Sequence, residues 1–199
     1  MDREILKQII ADQREYQEPR IFFNRIQSDT IRKFLKDPSI LIISGIRRSG
    51  KSTLQRMLQK ESLESDYYLN FDDERLIHFT VEDFQVLLEV FTELFGKQRT
   101  FYFDEIQNIP SWERFVRRLY ERGDKVLITG SNAKLLSKEL GTHLTGRYIQ
   151  FEIYPLSFKE IISHEYPSAL SKKLLSTDDT GSLLHYFAGY LKNGGIPEY

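Results

Sequence analysis

Residues Ser39–Ser52 read SILIISGIRRSGKS. Four aliphatic residues, Ile40 to Ile43, lead into a loop bounded by Gly45 and Gly50, and Lys51 and Ser52 follow. The spacing is that of G-x-x-x-x-G-K-[ST], a loop whose backbone N–H groups cradle phosphate oxygens. Its setting agrees. An apolar run of strand length precedes it, and apolar residues at helical spacing (Leu54, Met57, Leu58) come after it. The positive N-terminus of that helix adds to the pull on an anion. In such a loop Lys51 reaches the β- and γ-phosphates, and the Ser52 hydroxyl ligates Mg²⁺. The residues expected to bind nucleotide are Gly45, Ile46, Arg47, Arg48, Ser49, Gly50, Lys51, Ser52 and the adjoining Thr53. Two readings stand for Arg47 and Arg48: extra charge near the phosphates, or a pair facing solvent.

Outward from the loop, strand and helix patterns alternate. Tyr67–Phe71 reads as a second strand, and Thr100–Phe103 as a third that runs into Asp104 and Glu105. Between them Val81, Phe84, Leu87, Leu88, Phe91, Leu94 and Phe95 recur at helical steps until Gly96. Ser111 is placed to cap a helix carrying Trp112, Phe115, Val116 and Leu119. Lys125–Thr129 is a fourth strand, a helix through Leu135, Leu136 and Leu140 follows, and Tyr148–Ile153 is a fifth strand. Ser157 and Glu160 then form a capping box.

Upstream, Ile5, Leu6, Ile9 and Ile10 mark an amphipathic helix, and a polar connector ends near Pro19. Ile21–Ile26 is short and apolar, strand or helix, and Ser28 or Asp29 is placed to cap a helix with Ile31, Phe34 and Leu35. Downstream, residues 167–180 read as a Ser/Lys/Asp-rich linker before a last helix that ends at Gly194 and Gly195.

Five alternations imply parallel strands joined by crossover helices. The expected fold is α/β, a P-loop NTPase three-layer sandwich around a central, mainly parallel five-stranded sheet, with an N-terminal helix and a C-terminal helical tail. The expected organisation is an N-terminal helical segment (1–35), the P-loop core (36–166) and a linker with its helix (167–199).

Bulk properties narrow the function. With 199 residues, 40% hydrophobic and 13% aromatic, the chain can bury a full core. A net charge of −1 gives no global attraction to nucleic acid or anionic membrane. Cysteine is absent, which excludes disulfides, thiolate metal sites and a cysteine nucleophile, and the four histidines lack ligand spacing. The N-terminus MDREILKQII has no apolar h-region, and no apolar run approaches the ~20 residues needed to span a bilayer. A cytoplasmic protein with no membrane partner is expected.

Hydrolysis needs a further metal-side carboxylate and a group that positions water. Asp104, at the end of an apolar strand, is placed to order the Mg²⁺ shell. The adjacent Glu105 can polarise the attacking water. Tyr67–Phe71 lies between the loop and this acid pair in sequence, which suggests the P-loop branch with an extra strand between the two. Ser131 and Asn132, ending the fourth strand, have two open roles: contact with the γ-phosphate or attacking water, and ordinary turn or cap duty. Arg147 either stabilises charge on the transferred phosphoryl group, in a neighbouring subunit, or is a solvated arginine. No [NT]KxD guanine-reading motif occurs, so ATP is expected over GTP. Arg114, Arg117, Arg118 and Arg122 form a basic stripe, read as a solvated helix face in preference to a phosphate-binding surface.

The ordered set GIRRSGKS, FYFDEIQNIP-SWERFVRRLY, ITGSNAKLLS, LTGRY and FEIYPLSFKE resembles the AAA-type P-loop ATPases of archaea and bacteria over about residues 20–199. It is similar in particular to the group whose ATPase domain precedes a C-terminal domain of unknown function. The resemblance implies ATP binding and hydrolysis, with the phosphate-loop strand beside the acid-bearing strand. It also implies a sensor role for Ser131 or Asn132 and an arginine-finger role for Arg147, hence a homo-oligomer. The closing GGIPEY resembles the opening of that C-terminal domain, so further chain is expected beyond Tyr199. The helical lid of the wider class is not evident. The expected function is Mg²⁺-dependent ATP hydrolysis coupled to a conformational or remodelling task. The alternatives are a non-hydrolysing, ATP-controlled interaction module acting on DNA or a protein partner, and a small-molecule kinase.

Overall fold

A computed structural model describes residues 1–15, 22–131 and 144–196. Its centre is a five-stranded parallel sheet of order β2-β3-β4-β1-β5. The strands are β1 (Ile40–Gly45), β2 (Tyr68–Asn70), β3 (Thr100–Asp104), β4 (Lys125–Gly130) and β5 (Tyr148–Ile153). Helices α1 (Arg3–Glu15), α2 (Ser28–Phe34), α3 (Lys51–Lys60), α4 (Phe84–Phe95) and α5 (Trp112–Glu121) cover its faces. Three more, α6 (Phe158–Glu165), α7 (Pro167–Ser171) and α8 (Thr177–Asn193), follow β5.

The side-chain period of two divides β1 between two cores. Ile40 and Ile42 pack with Leu6, Ile9, Phe84, Phe91, Trp112 and Phe115 from α1, α4 and α5. Leu41 and Ile43 pack on the other face with Ile31, Leu54 and Leu58 from α2 and α3. Both faces being covered explains why β1 is aliphatic from Ile40 to Ile43 and wholly buried. The aromatic weight of the chain lies on the first face, where the Phe84 and Phe115 rings stack at 4.0 Å. The Gln13 side chain of α1 closes the sheet edge: its Oε1 accepts from the Asn70 N–H at 2.8 Å and its Nε2 donates to the Asn70 carbonyl at 3.0 Å. The outer backbone groups of Asn70 are thereby satisfied.

The strand order corrects one expectation. The phosphate-loop strand β1 does not lie beside the acid-bearing strand β3, because β4 pairs with both. The intervening strand in space is therefore β4, and the stretch Tyr67–Phe71 supplies the edge strand. Burial accounts for this: Val126, Leu127 and Ile128 are fully buried and suit the sheet centre, whereas β2 has three residues and ends in the half-buried Asn70.

Smaller differences concern the ends of elements. Residues 22–25 form neither strand nor helix. Gln27, not Ser28 or Asp29, occupies the cap position of α2, and Ser111 precedes α5 in a left-handed conformation without a side-chain cap bond. Residues 167–180 hold α7 and the start of α8, with Pro167 opening the one and a Ser176–Asp179 capping box opening the other. The Ser157–Glu160 capping box opens α6 as its sequence predicts. The helix expected through Leu135, Leu136 and Leu140 lies outside the described residues. Among the described residues no helix is long and apolar enough to cross a membrane.

Candidate active site

The loop after β1 owes its shape to a few backbone positions. Gly45 has φ 147°, and a Cβ there would lie 2.1 Å from the Ile153 carbonyl oxygen of β5. No side chain fits that approach. Arg48 and Gly50 are left-handed (φ 65° and 89°) on either side of Ser49. Such alternation gathers successive N–H groups into an anion-binding concavity. Gly50 is the cap position of α3, so Lys51 and Ser52 stand in its first turn with backbone donors that have no intrahelical partner. Lys51 is only 4% exposed. Its ammonium donates to the Ile46 carbonyl at 2.9 Å and stands 4.0 Å from Glu105 Oε1. Burial lowers its pKa, and the Glu105 and Asp104 charges oppose that shift.

Ser52 and Asp104 come together although β4 separates their strands. Helix α3 crosses β4, and the buried Gln55 amide donates to the Phe103 carbonyl of β3 at 3.2 Å and the Leu127 carbonyl of β4 at 3.0 Å. One turn earlier on the same helix, the Ser52 hydroxyl donates to Asp104 Oδ1 at 3.0 Å. The Thr129 hydroxyl of β4 donates to the same oxygen, and the Tyr68 hydroxyl approaches Oδ2 at 3.4 Å. Asp104 is 2% exposed, and burial raises its pKa against the pull of the Thr129 and Ser52 hydroxyls.

Glu105 is left-handed (φ 52°, ψ 38°), a conformation that costs a non-glycine residue on the order of 1 kcal/mol or more. The turn aims its carboxylate across the sheet end. Oε2 accepts from the Ser131 N–H at 3.0 Å and from the Gln107 amide, and Oε1 accepts from the Ser131 hydroxyl. The Glu105 N–H in turn donates to Thr129 Oγ1 at 3.1 Å.

Lys51, Ser52, Asp104, Glu105 and Ser131 are thus brought together at the C-terminal ends of β1, β3 and β4. Ser131 engages Glu105 itself. Asn132 lies outside the described residues. Arg147 is not part of this cluster: it precedes β5, its carbonyl accepts from the Ile40 N–H at 2.9 Å, and its guanidinium donates to the Thr145 carbonyl at 3.3 Å. Since β1 and β5 pair from Ile40–Tyr148 to Gly45–Ile153, Arg147 stands at the far end of the strands, about 17 Å from the loop at ~3.3 Å per residue. The basic stripe of α5 is partly neutralised. Arg117 pairs with Glu121 at 2.7 Å and Arg122 with Asp124 at 3.0 Å.

Three contributors escaped sequence reasoning. Thr129 is a polar residue closing an apolar strand run, which is its only signal, and Gln55 has none, since it stands among the polar residues of α3. Arg25 lies in the irregular stretch before α2, yet it is 8% exposed and reaches three elements. Nε donates to Glu160 Oε1 at 3.0 Å, Nη1 to the Ser49 carbonyl at 2.7 Å, and Nη2 to the Tyr154 carbonyl.

The donor set suits a magnesium–phosphate group. Ser52 and Asp104 offer two hard oxygens 3.0 Å apart, and among the described residues no cluster of three or more His, Cys, Asp or Glu could cage a metal. Magnesium characteristically takes one or two protein oxygens and completes its shell with water and phosphate. The Ser49 hydroxyl is buried and has no hydrogen-bond partner among the described residues, an orphan at the loop itself.

A parallel sheet of this order, carrying a glycine-bounded loop on β1 and an acid pair on β3, defines a P-loop NTPase of the AAA type. The chain belongs to the AAA domain family, whose model matches residues 37–162. It is 37% identical over 200 residues to an uncharacterized protein of Methanocaldococcus jannaschii, covering 100% of this chain and 44% of that one. It is 39% identical over 171 residues to an uncharacterized protein of Haemophilus influenzae, covering 79% of this chain and 39% of the relative. The chain therefore spans less than half the length of these relatives. Among solved structures it is similar to the Aeropyrum pernix ORC1 protein in complex with DNA, with a TM-score of 0.50, 13% identity, and coverage of 96% of this chain and 59% of the other. At that identity the likeness concerns the fold.

Proposed function

We propose that this domain binds ATP with Mg²⁺ and hydrolyses it, and that turnover drives a conformational change in the rest of the protein or in a partner. One observation carries the reading. Lys51, Ser52, Asp104 and Glu105, from two separate strand ends, converge so that Ser52 lies 3.0 Å from Asp104 and Lys51 lies 4.0 Å from Glu105. Backbone donors of the loop and the Lys51 ammonium bind the β- and γ-phosphates. Ser52 and Asp104 hold Mg²⁺, which when bound neutralises charge on those phosphates. Glu105 orients and deprotonates the attacking water, and Ser131, bonded to Glu105, links that carboxylate to the end of β4.

The test is nucleotide binding and phosphate release by the wild type and by Lys51→Ala. Losing a charged hydrogen-bond donor removes about 1.5–3 kcal/mol, so ATP affinity should fall roughly 10- to 100-fold and turnover with it. Hydrolysis that survives Lys51→Ala would overturn the assignment.

Arg147 sits too far along the strands to reach its own loop, so an arginine-finger role would have to be played on the site of a neighbouring subunit. Specific activity should then rise steeply with protein concentration and flatten in Arg147→Ala. Activity independent of concentration would remove that role. A second reading, an ATP-controlled interaction module without turnover that acts on DNA or a protein, draws on the Glu105 carboxylate being engaged already by Ser131 and Gln107. Tight ATP binding with no phosphate release by the wild type would favour it.

A further inference from the structure

We infer that Arg25 is a positioning residue for the phosphate loop, one that sets which way the Ser49–Gly50 peptide faces. The inference rests on the nucleotide-binding reading of this site. Arg25 lies outside the loop, and its Nη1 holds the Ser49 carbonyl at 2.7 Å. A trans peptide is planar, with its C=O and N–H on opposite sides. Drawing the Ser49 carbonyl outward therefore turns the Gly50 N–H away from Arg25, toward the concave side of the loop. Gly50 is left-handed and caps α3, so this N–H opens the row of unpartnered donors at the helix N-terminus. A peptide in the reverse orientation would present a carbonyl oxygen to a phosphate.

The guanidinium is itself fixed. Glu160 Oε1 receives Nε at 3.0 Å and the Tyr154 carbonyl receives Nη2, so the fork spans the loop, the chain just after β5, and α6. Glu160 is held independently, by the Ile26 N–H at 2.9 Å and the Ser157 N–H at 2.8 Å. Lysine has a point charge on a flexible stem and cannot serve three acceptors set in a planar fork. Arg25 thus presets the loop before any phosphate arrives, which lowers the ordering cost of binding.

The experiment compares the wild type with Arg25→Lys, Arg25→Met and Glu160→Gln. Binding of a fluorescent ADP analogue, and its displacement by inorganic tripolyphosphate, are measured well below each melting temperature, with urea unfolding in parallel. Glu160→Gln keeps an acceptor for Arg25 and leaves the Ser49 contact in place, so it should lose stability while keeping affinity within about twofold. Both Arg25 variants should lose roughly tenfold for ADP and tripolyphosphate alike, the ratio of one charged hydrogen bond. Affinity that falls in step with stability across all three variants, or that is unchanged in the Arg25 variants, would overturn the inference. A wild type that binds neither ligand would overturn the nucleotide reading and this inference with it.

Discussion

Replacing Glu105 with glutamine is expected to leave ATP bound and to slow phosphate release by about 10²- to 10⁴-fold, the range of a lost general base. Affinity should persist because Glu105 belongs to the turn after β3, not to the loop proposed to hold phosphate, and it stands 4.0 Å from Lys51. The shape of the site should persist too. Glutamine has the same outline, its carbonyl still accepts from the Ser131 N–H, and the Ser131 hydroxyl can rotate to accept from the new amide. What disappears is the capacity to take a proton. The check is steady-state phosphate release beside the dissociation constant for ATP, with Lys51→Ala as the contrasting variant that loses both. Equal turnover in Glu105→Gln would remove Glu105 from the base role. Equal and negligible turnover in both proteins, with ATP bound, would support the interaction-module reading.

The parts of this site that were legible in the sequence are those whose physics is local. The glycines, Lys51 and Ser52 lie within one strand–loop–helix unit, so spacing alone describes them. Asp104 and Glu105 end an apolar strand, which also shows in sequence. Strand order is non-local. Leu41 faces Leu127 and Phe101 faces Val126, and nothing in such interchangeable apolar runs tells β1 to choose β4 over β3. The reach of Ser52 to Asp104 across β4 goes with a contact of Gln55, a residue that looks like an ordinary helix former until its amide is seen bridging two strands. Arg25 was opaque for a similar reason, since its partners lie 24, 129 and 135 residues away. Residues 167–180 misled in the other direction: the polar composition of a linker concealed a proline-opened helix and a capping box.

Glu160→Ala is expected to be strongly destabilising, by about 3–5 kcal/mol, although the residue touches no phosphate-binding group. Its carboxylate accepts from the Arg25 guanidinium at 3.0 Å, the Ile26 N–H at 2.9 Å, the Ser157 N–H at 2.8 Å and the Ser157 hydroxyl at 2.9 Å. Truncation strands a buried arginine and uncaps α6 together. At roughly 2–4 °C per kcal/mol for a chain of this size, the melting temperature should fall by about 10 °C. The loss has a distinctive pH dependence. Burial alone would raise the Glu160 pKa, but the Ser157 and Ile26 amides and the Arg25 charge outweigh it and hold the carboxyl below its ordinary value. A carboxyl with a depressed folded pKa contributes stability above its unfolded pKa of ~4.3 and loses it as pH falls through the folded value. The stability gap between wild type and Glu160→Ala in urea should accordingly be flat from neutrality to about pH 5 and narrow below about pH 4. A gap unchanged at pH 3 would locate the stabilisation in packing of the side chain, with no part for its charge.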